Sequence, residues 1–162
     1  DFPEAWRPYL RTTAHLASAA VAAPDMPGAA AAAAGLASAC GECHAAVGGG
    51  PAFPAPGAPP AVTPRDNRSQ MARHQWAADR MWEALVSRSD AAWRAGAAAL
   101  VDAPLNCADI TRDVELPEEV LQLGTRVHAL AREAEAVEAW PQRSALYGEF
   151  LASCAGCHKG GC

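Results

Sequence analysis

The amino-acid sequence predicts an all-α protein, and three observations carry that prediction. Alanine dominates the composition, runs of the strand formers Val, Ile, Thr and Tyr are absent, and large apolar residues recur at helical spacing along Ala-rich stretches.

The first helix spans Ala5 to about Ala23, where Trp6, Leu10, Thr13, Leu16 or Ala17, and Ala20 or Val21 share a face; Pro24 and Pro27 end it. A second helix, from about Gly28 to Ala46, is almost pure alanine and runs into Cys40-Gly-Glu-Cys43-His44. It stops at Gly48, Gly49 and Gly50, where continuation is costly. Residues 48–64, GGGPAFPAPGAPPAVTP, have no periodicity and favour an extended, polyproline-like path. This segment reads as a linker between an N-terminal helical unit (1–47) and a C-terminal unit (65–162), with a long surface loop inside one domain as the alternative.

A third helix, from about Asn67 to Ser87, carries Met71, His74, Ala78, Met81 and Leu85 on one stripe. The fourth runs from Asp90 to about Val101, with Ser89 or Asp90 placed to cap it. Residues 102–116 are irregular. Pro117 then opens a helix whose first turn holds Glu118 and Glu119, at the positive end of the dipole. Along it Val120, Leu123, Val127, Leu130, Ala134 and Val137 alternate spacings of three and four, the seam of a bundle helix. Pro141 opens the last helix, which sets Leu146, Tyr147, Phe150, Leu151, Cys154, Cys157 and His158 on one face before Gly160 and Gly161. The C-terminal unit thus has four helices, enough for an up-down-up-down bundle, whereas the N-terminal unit is a two-helix half-bundle.

The halves repeat. Leu10-x-Thr12-x-x-His15 matches Leu123-x-Thr125-x-x-His128, and Leu36-Ala37-Ser38-Ala39-Cys40 matches Leu151-Ala152-Ser153-Cys154 with an offset of one residue. On a duplication, the N-terminal unit corresponds to the second half of the C-terminal bundle. Its open face would be covered by helices outside this chain, by another subunit, or by the C-terminal unit.

Both repeats end in C-x-x-C-H. Two thiols three residues apart on a helix project to one side, where each can form a thioether to a haem vinyl group, and the next His can ligate the iron axially. Cys40, Cys43 and His44 are therefore candidates for one haem c, and Cys154, Cys157 and His158 for a second. A zinc site built from the four cysteines would need the two pairs brought together and would leave both histidines unexplained. A thioredoxin-like dithiol expects a βαβ setting, which the pattern lacks.

These residues resemble those of class-c cytochromes, for which the paired CxxCH is the signature. The C-terminal unit is similar to the four-helix cytochrome c prime family, in which the haem is attached on the last helix, as at Cys154-Ala-Gly-Cys157-His158. That resemblance implies His158 as proximal ligand and a distal position on the first bundle helix, here residues 67–87. On that helix His74 is the preferred distal ligand, since imidazole binds iron strongly, with Met71 one turn away as the alternative. Met81 reads as core. His15 and His128, equivalent in the repeat, are further candidates, and Met26 is one for the first haem. Trp76, Trp82, Trp93 and Trp140 are expected to pack the bundle and shield the porphyrin.

Two of the six cysteines remain, Cys107 and Cys162. An up-down-up-down bundle brings both to one end, so a disulfide is expected there, with free thiols as the alternative; it suits the oxidising compartment that haem c attachment implies.

The expected function is electron transfer by a dihaem cytochrome, not catalysis, because neither motif is surrounded by acid and base residues. A gas-binding protein with five-coordinate iron and a small haem redox enzyme are the alternatives. The formal charge of −5 with no basic cluster argues against nucleic acid, leaving redox proteins as partners, and a homo-oligomer stacked through the incomplete N-terminal unit is a further arrangement. No apolar stretch approaches membrane-spanning length. The start at Asp1 reads as that of a mature exported chain, periplasmic or extracellular.

Overall fold

The computed structural model describes residues 2–63, 66–102 and 117–159, and among these there is no strand. A 3-10 turn, Glu4–Trp6, leads into α1 (Arg7–Ala22). There follow α2 (Met26–Val47), α3 (Asn67–Ser87), α4 (Asp90–Val101), α5 (Glu118–Ala136) and α6 (Trp140–Lys159). The fold is all-α, as the sequence predicts.

The helix ends follow local chemistry. The Asp25 carboxylate accepts the Gly28 amide at 2.8 Å and caps α2, so that Pro27 sits in the first turn instead of ending the preceding helix. A proline there has no helical hydrogen bond to lose, and α2 begins two residues earlier than its alanine run suggests. At the other end Gly48 adopts φ 67°, and its amide closes on the His44 carbonyl. The Ser89 hydroxyl accepts the Ala92 amide at 3.2 Å and caps α4. Between the two helices Arg88 holds the left-handed conformation at φ 55°, an unusual one for a side-chain-bearing residue.

Helices α3, α4, α5 and α6 pack each against the next, α2 lies between α3 and α6, and α1 covers the outside of α2. Three contacts fix the register. Trp93, early in α4, donates its indole N–H to the Ala134 carbonyl late in α5 at 2.9 Å, making those helices antiparallel. The Tyr147 hydroxyl donates to the Ala78 carbonyl at 3.1 Å, tying α6 to α3. Gly148 faces Ala31, where an added Cβ would stand 3.1 Å from the Ala31 Cα, so α2 and α6 touch nearly backbone to backbone.

The N-terminal hairpin therefore shares its interior with the C-terminal helices. Ala34 and Ala37 of α2 are fully buried in the same apolar cluster as Met81, Leu85, Trp93, Leu130 and Phe150. The Gly/Pro-rich segment returns along α3, where Arg73 donates to the Pro60 carbonyl at 3.1 Å and the Thr63 amide donates to the Ser69 hydroxyl at 2.9 Å. No described helix is long and apolar enough to cross a membrane.

Candidate functional site

The second C-x-x-C-H occupies the last turns of α6 and opens on a cavity of about 590 Å³, within the ~300–1,000 Å³ usual for cofactor sites. Cys154, Cys157 and His158 line one side of it, together with Tyr147, Phe150 and Leu151 of the same helix. Gly124 and Val127 of α5 and Ala78 of α3 continue an apolar wall, while Arg68, Gln75 and Asp79 supply polar groups. Among the described residues this lining comes from α3, α5 and α6 alone. Gly156, inside the motif, turns its bare Cα toward Leu123, whose Cδ1 would stand 2.8 Å from a Cβ. Burial pushes the Cys154 thiol up to about 11. A thiol that acts as a nucleophile needs the opposite shift.

Facing the motif, α3 presents both expected distal residues. Met71 is half-buried and His74 is buried, at 7 % exposure, and both line the cavity. Behind His74 stands His128, half-buried on α5, with ring centroids 6.0 Å apart and planes at 77°. Burial holds His128 below its ordinary value, against a hydrogen bond to the Leu100 main chain that raises it.

The first C-x-x-C-H ends α2 beside the last turn of α3. His44 Nδ1 lies 2.9 Å from the Val86 carbonyl oxygen, to which it donates, leaving Nε2 for other bonding. Arg88 donates to the Ser38 carbonyl at 3.1 Å and pairs with Glu42 at 3.0 Å. It also lies 4.9 Å from the Trp140 ring centroid, and Arg143 lies 4.4 Å from that centroid. Gly50, at φ 129°, sits against the His44 ring, where a Cβ would approach Cγ to 2.7 Å. Desolvation, then the neighbouring Cys43, raise the Cys40 thiol. Cys40, Cys43 and His44 are each half-buried.

The two cysteine pairs do not meet. The first adjoins Leu85 and Val86 and the second faces Met71 and His74, about 16–22 Å away along α3 at ~1.5 Å per residue. Among the described residues no group of three metal-ligating side chains forms, so the convergence that a zinc site requires is not found there.

The remaining candidates are scattered. His15 is exposed on α1 although its repeat mate His128 is half-buried, because α5 has α4 and α6 on either side where α1, among the described helices, packs chiefly on α2. Met26, at 58 % exposure, starts the helix whose far end bears Cys40, about 20 Å away by the same rise, so the fold does not bring it to the first motif. Met81 is core, at 2 % exposure. Of the four tryptophans, Trp93 is fully buried and Trp82 is 38 % exposed, yet the aromatic walls of the cavity are Tyr147 and Phe150. Cys107 and Cys162, with the disulfide expected between them, lie outside the described residues. Arg88 and the Val86 carbonyl, which hold Glu42 and His44 of the first motif, carry no sequence signal, since one is an ordinary-looking arginine and the other is main chain.

Comparison of the chain with protein-family models, with curated proteins and with solved structures finds no match.

Proposed function

We propose that this chain is a dihaem c-type cytochrome that transfers electrons. The observation that carries the reading is one cavity walled on one side by Cys154, Cys157 and His158 and on the other by His74. Each thiol would add across a vinyl group, forming a carbon–sulfur bond while the proton passes to the other vinyl carbon. A porphyrin iron so held supplies a one-electron couple.

The protein residues then have separate tasks. Cys154 and Cys157 anchor the porphyrin, while Tyr147, Phe150 and Val127 keep water from its faces. His74, buried at 7 % exposure, and Met71, half-buried, both line the cavity that His158 lines, and imidazole is the stronger iron ligand of the two. This favours His74 over Met71 as the distal ligand, and a filled distal position suits electron transfer more than gas binding.

At the first motif Cys40 and Cys43 anchor a second haem and His44 ligates it. Its Nδ1–H is already donated to the Val86 carbonyl, the outer-shell arrangement that fixes a ligating imidazole and makes it more basic. Redox proteins are the partners, and covalent haem attachment belongs to the periplasm or the cell exterior.

The test is expression with a haem c maturation system, followed by intact mass and spectra with and without carbon monoxide. Two covalent haems and low-spin bands insensitive to the gas are expected, and His74→Ala should turn one haem high-spin and gas-binding. A mass equal to that of the bare polypeptide overturns the reading. High-spin bands in the unaltered protein that shift with the gas would move it to the gas-binding class.

A further inference from the structure

We infer that the exposed flank of α1 is the surface through which two copies of this chain pair, antiparallel, about a two-fold axis that passes between Ala14 and Ala17. The inference goes beyond the haem reading and does not depend on it. Helix α1 has two apolar sides. Tyr9, Thr13, Leu16 and Ala20 are half-buried on the side where Leu16 lies against Gly35 of α2. About a quarter-turn around the helix, Leu10, Ala14, Ala17 and Val21 follow one another at helical spacing and form a second stripe. All four are exposed, Val21 at 90 %.

The internal repeat shows how such a stripe is used. In the alignment that pairs Leu10 with Leu123 and His15 with His128, the four residues fall on Leu123, Val127, Leu130 and Ala134. Val127, Leu130 and Ala134 are buried among the bundle helices, and the Ala134 carbonyl receives the Trp93 indole. The water-facing side of α5, with Gln122, Arg126 and Glu133, corresponds to the side that α1 turns toward α2, with Tyr9, Thr13 and Ala20. The exposed α1 stripe is therefore a bundle seam that, among the described residues, has no helix seated on it.

Three features select a second copy as that helix. The stripe runs large, small, small, large, so it is complementary to itself when reversed. Antiparallel pairing sets Leu10 against Val21 of the second copy and Ala14 against its Ala17, twice over, as a two-fold contact requires. Charge is complementary as well. Arg7 and Arg11 flank the stripe and α1 holds no acidic residue, and pairing brings Arg7 to the negative end of the second α1, beside its Asp25. Finally, α1 is about 24 Å long and ~10 Å across, so pairing buries roughly 1,000 Å² in all, the lower edge of specific interfaces. Such a dimer exchanges with monomer. An acidic membrane surface would also suit Arg7, Arg11 and His15, but a bilayer gains little from Ala14 and Ala17, whereas two helices need small residues where they cross.

Sedimentation of the full chain, from about 1 μM to 1 mM, should show its mass passing from that of one chain to that of two, with or without haem. Ala17→Glu, exposed in the single chain, places two carboxylates in the contact. It should stay monomeric over that range, with the unfolding midpoint of the dilute protein unchanged. Val21→Ser should weaken pairing about tenfold or more, because each contact holds that residue twice. Thr12→Glu, exposed on the opposite side of α1, should leave pairing intact. A chain that is monomeric throughout overturns the inference, and so does a dimer that Ala17→Glu leaves in place, since its contact then lies elsewhere. Binding of the monomer to phosphatidylglycerol vesicles, lost in Ala17→Glu, likewise overturns it and assigns the stripe to a membrane surface.

Discussion

Gly41 lies against the carbonyl of Leu85 so closely that a Cβ on it would stand 2.0 Å from that oxygen. The first of the two residues between Cys40 and Cys43 is thus the point at which α2 meets α3, and a main-chain oxygen cannot rotate away as a side chain can. Gly41→Ala should force the two helices apart, at about 1–3 kcal/mol in unfolding free energy, the usual range for overpacking. It should also stretch the His44–Val86 hydrogen bond. Gly156→Ala, one position later in the other motif, meets only the end of the Leu123 side chain and should cost less. Denaturant unfolding of the two variants checks the order, and equal losses would mean that α2 is not seated on Leu85.

The shared interior gives a second expectation. Ala34 and Ala37 are fully buried among residues of α3, α4, α5 and α6, so removing residues 1–47 would uncover an apolar stripe on both α3 and α6. The truncated chain should unfold at markedly lower denaturant concentration than the whole one, or associate. Cooperative unfolding at the parent midpoint would instead show that the C-terminal helices stand alone.

Much of this architecture was legible in the residues. The bounds of α3 and α4 match the residues, with Ser89 as the cap between them, and Val127, Leu130 and Phe150 announce buried faces by their spacing. Part of the cavity lining was legible as well, because Cys154, Cys157 and His158 form a fixed motif and His74 lies on an apolar stripe. The seating of α2 was not. An almost pure alanine helix has no polar face to mark its outside, and its contacts run through Gly148, Ala31 and Gly41, which signal only the lack of a side chain. Nor does a sequence reveal that His128 is turned inward and its repeat mate His15 outward, since this depends on which helices flank each.

Arg143 is the least expected member of the interior. Its side chain is 2 % exposed, donates to the Val137 carbonyl at 3.0 Å and to Asp90 at 2.5 Å, and lies over both Trp93 and Trp140. Asp90 is 62 % exposed, so water can replace the arginine there, whereas nothing replaces the stacking. Arg143→Ala should cost about 2–4 kcal/mol, from lost charge-assisted bonds and the space left between two rings. Asp90→Asn, which keeps an acceptor, should cost under ~1 kcal/mol. Thermal unfolding separates them, and comparable losses would place the energy in the ion pair instead.

The buried thiol sets a pH signature that covalent attachment would erase. In the haem-free chain Cys154 holds its proton up to about 11, against an ordinary value of 9.0. Between these values the unfolded chain has lost that proton and the native chain has not. The native state then binds more protons, and stability falls as pH rises. The contribution is complete below pH 9, where both states are protonated, and declines by up to about 1.4 kcal/mol per pH unit toward 11. Tyr147, its phenol also raised by burial in the same cavity, adds a loss of the same sign at higher pH. Cys154→Ala should flatten the first part of this decline in the haem-free chain. A thioether has no proton to release, so the haem-loaded protein should lack that part too and keep only the phenol contribution. Equilibrium unfolding of the three proteins from pH 8 to 11 checks this, and parallel declines in all three would mean that the Cys154 thiol is not the group responsible.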